Sequence, residues 1–363
     1  MFAAVHQLKN EKRMLMFQVN KEQVKSMFSY MGICLLVYLV ASTIAQALSG
    51  VIFGGLLNSL TGIAFEIVYY LSTFLPMYAI AFPITWLLVK RKPAITFIAE
   101  RTGTMETWTA KRLVMDFVIC VFLMYLGNLI GTGLSAIISS FAGGELTNVV
   151  ADLIIGSNPF IMAIFVVIIG PIIEELLFRK FLLDRIGGYG ERNAMILSGI
   201  LFGLFHMNLF QFFYAFGIGC LFAFVYLRSH KIRYSIILHM CVNFMGSIIG
   251  VLVLSKVDMD YLNNLLSGNA DMADTAAMLA SGVQYYFIYL MILMVLFIIG
   301  FVCFLVRIRN LKLDATNDVV DENDQPLDRK TLKRLTYRNA GMILFILFCI
   351  AFAVFNALTQ LFA

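Results

Sequence analysis

The sequence predicts an all-α integral membrane protein, a multi-pass bundle of about nine transmembrane helices within a range of eight to ten. Three observations predict it. Of 363 residues, 61% are hydrophobic and 13% charged, whereas a soluble domain carries about 25% charged residues. Apolar runs of about 20 residues, each enough to cross roughly 30 Å of hydrocarbon, recur along the whole chain. The basic residues fall in alternate gaps between those runs, so the net charge of +5 reads as membrane topology and not as a nucleic-acid surface.

In chain order, a polar arm over 1–26 precedes the first span at 27–49. The arm shows no small-residue cleavage site, so that span is expected to stay as an anchor. Spans at 64–89 and 113–140 complete an N-terminal region over 27–158. A second region, 159–255, holds spans at 159–184, 193–210, 211–228 and 234–255. The middle two meet at Phe210-Gln211 with almost no loop, which requires a tight turn. The last region, 256–363, holds spans at 284–307 and 340–361. Between them, 309–338 runs from Asp314, Asp318, Asp321, Glu322, Asp324 and Asp328 into Arg329, Lys330, Lys333 and Arg334, a mixed-charge pattern expected of a solvated cytoplasmic linker.

Nine spans place every Lys and Arg except Lys256 on one side. By the positive-inside rule that side is cytoplasmic, which puts the N-terminus in the cytoplasm, the C-terminus outside, and the protein in the cell membrane. The opposite loops, 141–158 and 256–283, carry Glu145, Asp152, Asp258, Asp260, Asp271 and Asp274. Cys34, Cys120, Cys220, Cys241, Cys303 and Cys349 lie within apolar runs without Cys-x-x-Cys spacing, as small buried hydrophobes do. Gly127 and Gly131, like Gly199 and Gly203, are four apart and permit close helix approach.

Ionisable groups inside a span are costly, and each needs a partner or a function. Glu66 and Asp116 lie near span ends, where interfacial water can reach them, and His6 and His230 read as surface histidines. The fourth span carries Gly170-Pro171-Ile172-Ile173-Glu174-Glu175-Leu176-Leu177-Phe178-Arg179. Glu175 and Arg179 are i and i+4 and can pair, while Glu174 is turned about 100° away. Pro171 removes a backbone donor, so a neighbour must satisfy the freed carbonyl. Phe202 and His206 share a face of the next span, as do His239 and Asn243 on the seventh. Three neighbouring apolar spans thus supply Glu174, His206, His239 and Asn243.

Such a set can hydrolyse a peptide. A desolvated Glu serves as general base or acid, and His and Asn side chains can donate to an oxyanion. Alternatively, Glu174, His206 and His239 are an open two-His, one-carboxylate shell for a divalent metal such as zinc. No His-Glu-x-x-His helix is present, so the usual zincin pattern is absent.

Glu174-Glu175-x-x-x-Arg179, Phe202-x-x-x-His206 and His239-x-x-x-Asn243, in that order on successive apolar helices, resemble the three motifs of the CPBP family. This family, also called Abi, comprises CAAX prenyl endopeptidases and bacteriocin-processing or immunity proteins. The resemblance covers roughly 171–255. It implies an intramembrane endopeptidase with a cavity open toward the cytoplasm, acting on membrane-associated, apolar or lipid-modified peptides and proteins. It further implies that Glu174 activates water with help from His206, that His239 and Asn243 stabilise the oxyanion, and that Glu175 and Arg179 fix the helix. The family is often labelled metalloprotease, yet the same residues suit a metal-free glutamate mechanism. Two other readings accompany this one. A non-catalytic bacteriocin-immunity or scaffold protein would use the polar cluster to hold helices together. A small-molecule transporter is disfavoured because paired discontinuous helices in two matching halves are lacking.

Overall fold

Apolarity decides where helices run, and capping chemistry decides where they stop. The structure, a computed structural model, describes residues 17–148, 157–269, 275–311, 319–323, 325 and 327–362. Among these, eight helices are long and apolar enough to cross a membrane: α1 (Lys21–Leu57), α2 (Gly62–Val89), α3 (Ala110–Ala142), α4 (Pro159–Tyr189), then, after a shorter helix α5 (Glu191–Phe205), α6 (Leu209–Ser229), α7 (Ile232–Leu254), α8 (Val283–Arg309) and α9 (Ala340–Leu361). The chain is an all-α multi-pass membrane protein. The α1 helix opens on Asn20, whose Oδ1 accepts the backbone N–H groups of Glu22 and Gln23, two of the donors a helix start leaves unpaired. Asn339 caps α9 in the same way. Gly143, with φ of 76°, closes α3 in the left-handed conformation glycine tolerates.

The span expected at 193–210 is the one that differs. Its helix ends at Phe205, so its 15 residues reach only about 22 Å. The turn comes at Met207 and Asn208, ahead of Phe210-Gln211, because the Asn208 side chain accepts the Gln211 backbone N–H and starts α6 there. A capping residue overrides continuous apolarity. The α5–α6 pair is a hairpin that returns to its starting level, where Arg228 near the end of α6 meets Glu191 at the start of α5 at 3.2 Å.

At the centre, α6 lies between α3 and α5, and both contacts rely on the expected glycines. A Cβ at Gly127 or Gly131 would strike the α6 backbone at Phe213–Tyr214 and Leu209–Phe210. A Cβ at Gly199 or Gly203 would strike Cys220 and Phe212 from the other side. Close backbone approach of this kind supplies the dispersion contact that holds helices together where lipid removes the hydrophobic drive. On the flanks, α1 carries α2 and α9, and α3 carries α7 and α8. The outer face of α8 exposes Met291, Ile292, Val295, Ile298, Ile299 and Val302, which suits contact with lipid chains.

Charges gather at one end of the bundle. There, Arg112 pairs with Glu106 at 2.8 Å, Lys180 with Asp184 at 2.9 Å, and Lys21 with Asp321 at 2.8 Å. At the other end the Leu361 carbonyl of α9 lies against Gly144, just past the end of α3.

Four local expectations are corrected. The linker over 309–338 is folded in its described part. Val319–Val320 pairs in parallel with Phe17–Gln18, the helix Arg329–Tyr337 packs beside α1, and Val319, Val320, Leu327, Leu332 and Leu335 are buried. Apolar residues scattered among its charges supply that core. Asp116 is fully buried, accepting from Trp108 Nε1 at 2.6 Å and pairing with Arg307 of α8. A partner on a helix distant in sequence replaces interfacial water. His230 is only 31% exposed and contacts Glu100. Cys241 is exposed, whereas Cys34, Cys120 and Cys349 are buried. His6, Asp152, Asp271, Asp274, Asp314, Asp318 and Asp324 lie outside the described residues.

Candidate active site

Pro171 shapes the wall of the site. The turn before it, Ala163–Ile169, is π-helical, and the Gly170 N–H reaches back five residues to the Phe165 carbonyl. In that register Pro171, which has no N–H, leaves the Val166 carbonyl without its donor. Asn243 Nδ2 supplies one from α7 at 2.8 Å. One polar side chain thereby ties α7 to α4 at the point where proline weakens α4. The second amide hydrogen of Asn243 is left to the cavity that both helices line.

Two turns of charge follow. Glu175 is sealed in the core with Arg179, Oε2 to Nε at 3.0 Å, both side chains 0% exposed. The guanidinium lies between the rings of Phe202 (4.8 Å) and Phe222 (5.3 Å) and donates to the Gly219 carbonyl at 3.3 Å. Here the expected i, i+4 pair forms. It also does something the spacing did not indicate, since the other Glu175 oxygen meets His239 Nδ1 at 3.1 Å. A carboxylate acceptor requires the proton on Nδ1, so Glu175 fixes the ring's orientation and turns Nε2 toward Glu174.

Glu174 faces the other way. Its side chain is 25% exposed, and Oε2 stands 3.7 Å from His239 Nε2, beyond hydrogen-bond range. His206, at the C-terminal cap of α5, places Nδ1 2.8 Å from the Phe202 carbonyl. A carbonyl only accepts, so Nδ1 carries the proton and the Nε2 lone pair is free in the neutral ring.

Glu174, His206, His239 and Asn243 all line one cavity of about 410 Å³. The structure therefore brings together the four residues singled out from separate helices. Three other walls of the cavity are π-helical turns, at Met77–Ala81, Ala163–Ile169 and Phe244–Ile249, which contribute Tyr78, Val166 and Ser247. Such turns are rare and concentrate at functional sites.

Residues 156–245 match the family model described as "Type II CAAX prenyl endopeptidase Rce1-like". The match supports the resemblance of this segment to the CPBP family. A Bacillus subtilis (strain 168) relative named "Putative membrane peptidase YdiL" is 33% identical over 104 residues, 28% of this chain and 42% of the relative. The chain thus spans under half the length of that curated relative. No solved structure matches the chain. The matched segment contains α4 to α7 as far as Met245, and with them all seven motif residues.

The residues do not gather as a metal shell. Among the described residues no three His, Cys, Asp or Glu side chains converge on one point that could hold an ion. Glu174 and His239 approach each other, while His206 is anchored to its own helix through Phe202. No step is therefore routed through a metal.

Residues missed from the sequence include neutral polar groups of the cavity wall, Tyr78, Gln211 and Tyr214 among them. A signal existed, because Gln211 and Tyr214 interrupt the run Phe210, Phe212, Phe213, Phe216 three residues apart, on adjoining positions of one helical face.

Proposed function

We propose that the chain is an intramembrane endopeptidase that hydrolyses peptide bonds of membrane-associated or apolar peptides, lipid-modified ones among them. One observation carries the reading. The motif carboxylate that is not sealed in the core, Glu174, lines one cavity together with two histidines and an amide.

Water entering that cavity gives up a proton to Glu174, with His206 Nε2 accepting its other hydrogen. The hydroxide oxygen adds to the scissile carbonyl, whose oxygen becomes an oxyanion. The free amide hydrogen of Asn243 and the His239 ring receive that charge. Glu174 then delivers its proton to the leaving amine, and the products are a carboxylic acid and an amine, between which the remaining proton passes to give a carboxylate and an ammonium. Glu175 and Arg179 act as positioning residues through His239. The basic end of the bundle is the cytoplasmic one in this reading, with the N-terminus inside and the C-terminus outside. The mostly apolar cavity wall favours apolar side chains or a lipid group beside the scissile bond.

A second reading has one observation in its favour. Asn243 already serves α4 by bonding Val166, as a purely structural cluster would require. In that case the chain is an immunity or scaffold protein of the same family.

Full-length protein in detergent, incubated with an apolar peptide library and analysed by mass spectrometry, separates the two. The peptidase reading expects cleavage that Glu174→Gln abolishes while Tm is unchanged. Cleavage unaffected by chelator would set aside the metal alternative. Equal products from wild type and Glu174→Gln would overturn the assignment of Glu174.

A further inference from the structure

Polar side chains inside a membrane-spanning helix are costly unless they serve a purpose. At the start of α6 three of them, Asn208, Gln211 and Tyr214, recur every third residue amid phenylalanines. They form a hydrogen-bonded chain with one direction. Asn208 Nδ2 donates to Gln211 Oε1, and Gln211 Nε2 donates to the Tyr214 hydroxyl oxygen at 2.7 Å. Because that oxygen accepts, the chain ends on the Tyr214 O–H. Among the described residues no acceptor takes its proton. Gln211 and Tyr214 line the same cavity as Glu174, His206, His239 and Asn243.

Two features fit the phenol to donate. Accepting from Gln211 polarises the O–H outward, since hydrogen bonds in a chain strengthen one another. The backbone is also held in place. A Cβ at Gly127 of α3 would strike Tyr214 itself, and Phe213 C at 2.7 Å, so α3 and α6 are packed backbone to backbone at this residue. The phenol adds to the donors already assigned to Asn243 and His239, because the other motif groups of the cavity accept or are engaged. Glu174 and neutral His206 present lone pairs, one Asn243 amide hydrogen is held by Val166, and His239 Nδ1 is held by Glu175.

We propose that Tyr214 is a further catalytic residue, whose O–H donates to the oxyanion of the tetrahedral intermediate, with Asn208 and Gln211 as its positioning residues. This rests on the peptidase reading. The proton stays on the phenol throughout, so the balance of the hydrolysis is unchanged.

The test uses full-length protein in detergent and a fluorogenic apolar peptide, comparing wild type, Glu174→Gln, Tyr214→Phe and Gln211→Leu. Loss of one oxyanion donor lowers kcat by about 100-fold. Tyr214→Phe is expected to show that fall with KM and Tm unchanged, and Gln211→Leu a smaller fall with the phenol still present. A merely structural tyrosine would lower Tm and spare kcat per folded molecule. Wild-type kcat in Tyr214→Phe, or a change in KM alone, overturns the proposal while an inactive Glu174→Gln leaves the peptidase reading intact. If Tyr214→Phe does not fold, Gln211→Leu decides, and an unchanged kcat there overturns the proposal. No cleavage by wild type, or cleavage by Glu174→Gln, overturns the reading and the proposal together.

Discussion

Replacing Arg179 with Met removes a charge from a fully enclosed site and keeps the length of the side chain. Glu175 is then left at 0% exposure without its cation, with the neutral partners His239 and Ser235 beside it. Breaking a buried pair from one side costs about 3–5 kcal/mol. The lost bond to the Gly219 carbonyl and the contacts with Phe202 and Phe222 contribute about 1 kcal/mol each. These contributions overlap, and Met refills part of the volume, so the expected loss is about 4 kcal/mol. Unfolding of the purified protein in mixed micelles, followed by tryptophan fluorescence, measures it. The double variant Glu175→Gln, Arg179→Met removes both charges and should regain about 2 kcal/mol relative to Arg179→Met alone. A loss under about 1 kcal/mol for Arg179→Met, or two strictly additive substitutions, would refute a buried and mutually dependent pair.

Three further outcomes follow from the same geometry. Asn243→Leu strands the Val166 carbonyl beside Pro171 and should cost about 1–3 kcal/mol by the same unfolding measurement; no loss means another donor already serves that carbonyl. Gly127→Leu drives a side chain into the α6 backbone at Tyr214 and should destabilise by about 1–3 kcal/mol or more, with proteolysis of the α5–α6 hairpin accelerated; wild-type resistance would contradict the close approach. His230 sits outside the spans between Asp184 and Glu100, and those carboxylates raise its pKa above the ordinary imidazole value. A raised folded-state pKa gives stability that is fully present below the unfolded value of about 6.5 and lost as pH rises through the folded one. The Tm advantage of wild type over His230→Gln should therefore be largest in mild acid and shrink as pH rises through neutrality; an advantage that grows with pH reverses the sign and refutes the pairing.

Much of this architecture was legible because a bilayer demands long apolar runs, and because basic residues mark one end of the bundle. The i, i+4 arithmetic separated Glu174 from Glu175 correctly, since one turn of helix fixes which side chains share a face. Contacts between helices distant in sequence were not legible. Nothing near Asp116 in the chain points to Arg307 on α8, and nothing near Pro171 points to Asn243, although the need for some donor was evident. Helix length misled at α5, because Asn208 begins a new helix inside an unbroken apolar stretch. The Tyr214 donor escaped for a related reason, as its chain of hydrogen bonds reads in sequence as ordinary polar interruptions of a Phe-rich helix.

The proposed role of Glu174 as the base that activates water is tested most directly by cleavage in ¹⁸O-labelled water under single-turnover conditions, with products weighed by mass spectrometry. Wild type should place one solvent oxygen in each new carboxyl terminus, and Glu174→Gln should yield no product. A first-turnover product carrying unlabelled oxygen would reveal a covalent acyl-enzyme formed by a side-chain carboxylate, and labelled product from Glu174→Gln would place the base elsewhere; either result contradicts this account.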